Sequence, residues 1–155
     1  MALLATFYQL YLQRCHNEKS IKPLGQIDLP DYKKQLAVYI RNNGLGPLII
    51  DRLLFVKEGQ QYCTIDDCLN LDPKSYMRVL ISDSVKRVVL PNAYLAVFET
   101  IFEDSEGEAE MNHARNELSP IILKVEFHDI YDNKMTIERD FQWFARYMPK
   151  EEDEQ

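Results

Sequence analysis

Cysteine and histidine are scarce in this chain, at three each in 155 residues. Cys15, Cys63 and Cys68 are odd in number and widely spread, which argues against a disulfide scaffold and favours a reducing compartment. A Cys63–Cys68 bridge stays open but is not required. Basic residues are not in excess: the net charge is −7 and the pI about 5.0, so there is no electrostatic footprint for nucleic acid. No Gly-x-Ser-x-Gly elbow is present. A full membrane span is also missing. Met1 to Gln13 carries no charged side chain, yet it falls short of the ~20 apolar residues that a bilayer needs. It has neither the positive n-region nor the small-residue cleavage site of a signal peptide.

What is present suffices for a packed domain. Hydrophobic residues make up 46% and aromatics 11%, with nine Tyr, seven Phe and one Trp, so disorder does not explain the want of motifs. The acidity is local. Glu103, Asp104, Glu106, Glu108 and Glu110 with Glu151, Glu152, Asp153 and Glu154 make nine negatives, and without them the net charge goes from −7 to +2. Both runs read as solvated segments.

Leu3, Leu4, Phe7, Leu10 and Tyr11 recur at helical spacing, and Arg14, His16, Lys19 and Lys22 follow as a basic flank. Two expectations stand: a short amphipathic helix over residues 1–18 packs on the domain, or it is the end of a truncated membrane helix. The flank would then place the domain on the cytoplasmic face.

From Ile21 the pattern turns to short strands. Pro23 and Pro30 restrict the first to an edge. Leu36, Val38 and Ile40 alternate with polar neighbours. Asn42-Asn43-Gly44-Leu45-Gly46-Pro47 marks a turn, in which Asn43, Gly44, Gly46 and Pro47 are structural. Leu48 to Val56 reads as a strand buried on both faces, and Thr64 to Leu71 as a helical turn capped by Thr64. Tyr76–Ile81 with Met77, Val79 and Ile81 on one face, Val85–Leu90 and Ala93–Phe102 are further strands. A short helix is expected around Ala109–Asn116 inside the polar insertion. Ile121, Leu123, Val125 and Phe127 alternate inward against Lys124, Glu126 and His128. Asp132 and Asn133 then turn the chain into a hairpin strand from Met135 to Phe144. Residues 19–149 form the domain, and 150–155 a disordered acidic tail. The fold expected is mainly β, an antiparallel immunoglobulin-like sandwich with a short N-terminal helix, or in the alternative a small β-barrel.

Candidate chemistry is sparse. Gly44-Leu45-Gly46-Pro47 precedes a strand and lacks a lysine, so it is a turn and not a phosphate cradle. His128-Asp129 with Asp132 resembles a metal-phosphohydrolase pair, but it lies at a hairpin. Cys63 and Cys68 have no second ligand pair for zinc. No catalytic residue, metal or cofactor is expected. Phe141, Trp143, Phe144 and Tyr147 close the chain as an aromatic cluster, serving either the core or an interaction patch.

Three landmarks together resemble a family: His16-Asn17 with Ser20 and Pro23 after an apolar helix, the Asn43-Gly44-Leu45-Gly46-Pro47 turn, and Phe127-His128-Asp129-Ile130-Tyr131 before Trp143-Phe144. They are similar to small bacterial membrane-anchored proteins of uncharacterised function, in which transmembrane helices precede a compact β domain. The resemblance implies a membrane-tethered, non-catalytic interaction or sensing module with an unknown protein partner. It supplies no activity and no catalytic residues. A small-ligand-binding barrel is the second reading, an enzyme of unknown class the third, and without a tether the protein would be cytoplasmic.

Overall fold

The computed structural model describes residues 1–81 and 85–146. Two antiparallel five-stranded sheets pack face to face behind an N-terminal helix, α1 (Ala2–Ser20). The first sheet holds β1 (Gly25–Asp28), β2 (Asp31–Tyr32), β3 (Gln35–Asn42), β6 (Met77–Arg78) and β8 (Tyr94–Ile101), in the order β1-β3-β8-β6 with β2 also on β3. The second holds β4 (Leu48–Lys57), β5 (Gln60–Tyr62), β7 (Arg87–Val89), β9 (Ile121–His128) and β10 (Lys134–Asp140). Its order is β10-β9-β4-β5, with β7 on β4. The architecture is therefore a mainly β sandwich, and the barrel alternative falls because the sheets stay separate.

Alternation explains the core. Along β9, Ile121, Leu123, Val125 and Phe127 are buried while the residues between them are half-exposed, as a strand with one wet face requires. Leu36, Val38 and Ile40 of β3 and Leu48, Ile50, Leu53 and Phe55 of β4 fill the same interior. Strand β4 is not buried on both faces. A bulge between Ile50 and Arg52 turns Asp51 and Arg52 outward, which accounts for two charges in an otherwise apolar run. The β2–β3 turn places Lys33 and Lys34 at φ 47° and 62°, the pairing that a two-residue hairpin loop demands.

Several expectations on the edges are corrected. Strand β6 is two residues long and its Met77 points out to solvent, 75% exposed. The turn at residues 64–71 is a single 3-10 turn at Asp66–Cys68 without a side-chain cap, because Thr64 Oγ1 donates to the Asp67 carboxylate instead. All three cysteines are free thiols. Strand β10 stops at Asp140, whose carboxylate accepts the Gln142 N–H and opens a 3-10 turn at Gln142–Ala145. The inserted helix is α2 (Glu108–Leu118), which buries Met111, Ala114, Arg115 and Leu118.

Helix α1 departs furthest from a packed element. Arg14 Nε pairs with Glu18 at 3.0 Å along it, yet none of its residues is buried. It does not pack into the sandwich core. No helix among the described residues is long and apolar enough to cross a membrane.

Candidate functional site

The turn residues come first, since they position the rest. Asn42 is fully buried at the end of β3 and acts as a four-way connector. Its side-chain Nδ2 donates to Gly46 O at 2.7 Å and Val89 O at 2.9 Å. Its Oδ1 accepts the Leu24 N–H at 3.2 Å and the Gly44 N–H at 3.0 Å. Thus one amide joins the chain before β1, the Asn43–Pro47 turn and β7. Gly44 and Gly46 are buried in this turn, and a Cβ on either would run into the Lys22 or Ile21 carbonyl. Close backbone approach, not an unusual φ, is what requires glycine here. Asn43 is exposed and donates to Gln26 Oε1. Pro47 is half-buried where the turn enters β4.

His128 and Asp129 part company. Asp129 is fully buried, and its carboxylate accepts the Tyr131 N–H at 2.8 Å, the Asn133 N–H at 3.0 Å and Asn133 Nδ2 at 3.0 Å. Burial opposes its ionisation, but these bonds and the nearby Lys22 charge outweigh it and hold the carboxyl below the usual range. Asp132 has φ 61° and is almost fully exposed, and its N–H bonds to Asp129 O. The Asp129–Asn133 segment is a self-bonded hairpin turn.

His128 faces outward and its Nδ1 lies 2.7 Å from Asp51 Oδ2, with Nε2 4.0 Å from Asp132 Oδ1. Lys86 Nζ reaches the other Asp51 oxygen at 3.1 Å. Next to them Arg52 pairs with Glu126 at 3.2 Å. This row lines a cleft of about 940 Å³ on the outer face of the second sheet. Burial raises the cost of charge on Asp51, yet His128 and Lys86 more than offset it and lower its pKa. Asp51, Arg52, Lys86, Glu126 and His128 thereby satisfy one another across β4, β9 and the segment leading into β7. Among the described residues no group of three or more His, Cys, Asp or Glu side chains is arranged to hold a metal ion.

A second ion cluster fixes α2 and the turn at Arg146 to the β2–β3 hairpin. The Asp31 carboxylate, 2% exposed, receives Arg115 Nε at 3.0 Å and Nη2 at 2.7 Å, and Arg146 Nη1 at 3.2 Å. Neither arginine carries a local sequence signal that points to Asp31.

The closing aromatics are divided between core and surface. Phe141 and Phe144 are fully buried and meet edge to face with centroids 6.2 Å apart, three residues apart on the 3-10 turn. Trp143 is 47% exposed, with the Arg146 guanidinium 3.9 Å over its ring. Tyr147 and the 150–155 tail lie outside the described residues. Of the three described aromatics, Trp143 is the one placed at the surface.

The large apolar surface lies instead on α1. Leu3, Leu4, Phe7, Tyr8, Leu10, Tyr11 and Leu12 are all between 48% and 74% exposed. At 100° per residue they cover one broad arc of the first three turns, opposite Ala2, Ala5, Thr6, Gln9 and Gln13. No protein-family model matches the chain, and no curated protein matches it in sequence.

Proposed function

We propose that this protein is a non-catalytic, membrane-tethered interaction or sensing module: a β-sandwich held at a bilayer by α1. The observation that carries the reading is the helix itself, nineteen residues long with seven large apolar side chains displayed and none buried. An exposed apolar arc of this breadth suits the lipid interface, with its side chains among the acyl chains. Tyr8 and Tyr11 suit that depth, being apolar in body and polar at the tip. Arg14, Lys19 and Lys22 follow directly and would meet anionic headgroups. The non-catalytic part rests on the cleft of the second sheet, where Asp51 pairs with His128 and Lys86, and Arg52 with Glu126. The resemblance to membrane-anchored bacterial proteins points the same way, and an interaction through Trp143 remains compatible with it.

Vesicle flotation tests the tether. The chain is expected to float with phosphatidylcholine–phosphatidylserine vesicles and to lose most of that binding on Phe7→Asp with Leu10→Asp. Both side chains are exposed, so the variant keeps the sandwich fold. Failure to float at low ionic strength, with a concentration-dependent dimer seen by sedimentation, would assign the helix to self-association instead.

A further inference from the structure

A smaller cavity on the other side of the molecule has a composition unlike the rest of the surface. It measures about 240 Å³ and lies between the 70–76 loop, the end of β8 and α2. Its apolar walls include Tyr76, Phe98 and Phe102, with Tyr76 and Phe98 rings 5.0 Å apart. Tyr76 is fixed there because its hydroxyl donates to Asp66 Oδ1 at 2.6 Å. The hydroxyls that line the cavity are already engaged. Thr100 Oγ1 donates to Ser75 O at 2.7 Å, and Ser75 Oγ donates to Asp72 O at 2.6 Å. Charge at the rim is acidic: Asp72, Glu106 and Glu110 line it, with His113 beside them, and among the described residues neither lysine nor arginine does.

From this geometry we infer that the cavity is a binding site for a small organic cation, an ammonium group on an apolar body. The apolar walls take the body, and the aromatic rings and the carboxylate rim favour the positive head. The volume sets the size. It is below the ~300–1,000 Å³ of drug-sized sites, so it admits a compact amine of roughly ten non-hydrogen atoms. An anion of the same shape would meet the carboxylates of Asp72, Glu106 and Glu110. A neutral isostere would keep the walls and lose the head. The site is independent of whatever α1 docks on, and it supplies the sandwich with something to sense.

The test uses the full chain without vesicles and three probes that share a phenyl body and differ in the head: 2-phenylethylamine, 2-phenylethanol and phenylacetate. Amide chemical shifts followed by NMR report both affinity and place. The amine is expected to bind with a Kd of about 0.1–3 mM. Shifts should centre on Ser75, Thr100 and Ala114, and the affinity should be about tenfold above the alcohol's. Glu110→Gln, at an exposed position that leaves the fold intact, should weaken the amine about threefold and leave the alcohol unchanged. Equal binding of amine and alcohol overturns the inference. So does an absence of shifts at 20 mM amine, or shifts centred away from the cavity.

Discussion

Asn42 and Asn43 are neighbours in sequence and opposites in energetics, and replacing each by alanine separates the two. Asn42→Ala strips partners from four backbone groups at once. Gly44 N–H, Gly46 O and Val89 O belong to buried residues, whereas the Leu24 N–H belongs to an exposed one and regains water. At about 1 kcal/mol for each of the three buried groups left without a partner, and about 1 kcal/mol more for the rest of the lost amide, the cost comes to about 4 kcal/mol. The backbone bonds of residue 42 to Ala93 and Asn92 survive, so the strand end itself is not the loss being measured. Asn43→Ala removes an exposed bond to Gln26 and should cost less than about 0.5 kcal/mol. Urea unfolding followed by circular dichroism and Trp143 fluorescence reads the difference. With a slope near 2 kcal/mol/M, the Asn42→Ala midpoint should fall by about 2 M, and that of Asn43→Ala by less than about 0.3 M. A cost below about 1 kcal/mol for Asn42→Ala, or equal costs for the two variants, would refute the connector argument.

Gly46→Ala forces a Cβ against the Ile21 carbonyl and should cost about 2–3 kcal/mol in the same unfolding assay. Asp31→Ala leaves Arg115 and Arg146 facing each other without their buried carboxylate, and a loss of about 3–5 kcal/mol is expected by urea unfolding. Asp129 has a folded-state pKa lowered from its ordinary value, so the stability it contributes is present above about pH 4 and lost as pH falls further. Asp129→Asn should therefore be less stable than the parent at pH 6, with the gap narrowing towards pH 3. A gap that stays constant across urea midpoints at pH 3–6 would contradict this.

The two sheets were legible where burial is one-sided. Ile121–His128 alternates and is strand β9 to the residue, and Asn42–Pro47 is the turn that its asparagines and glycines announce. Legibility ended wherever a distant residue decides the outcome. Asp51 and Arg52 interrupt an apolar run, and nothing local shows that His128, Lys86 and Glu126 will receive them outside the core. Phe141 and Phe144 fit alternation on paper. Once Asp140 ends the strand, a three-residue spacing buries both and leaves Trp143 out. Asn42 was readable as a turn residue but not as a connector, because Val89 and Leu24 are far from it in sequence. The apolar arc of α1 has the same pattern whether it covers a core or an external surface, so periodicity gave the helix and not what it faces. The cavity beneath α2 had no local signature. Its walls come from Leu71, Phe98 and Ala114, on three separate segments.

Since α1 buries nothing, its stability is its own, set by a helix–coil balance and not by the cooperative unfolding of the sandwich. Its amides should exchange with deuterium many orders of magnitude faster than those of β3, whose exchange waits on global opening. Attachment and fold are then two separate free energies in one chain. Substitutions can retune the first while the second stays unchanged, and any surface that captures the helix will announce itself as slowed exchange confined to residues 2–20.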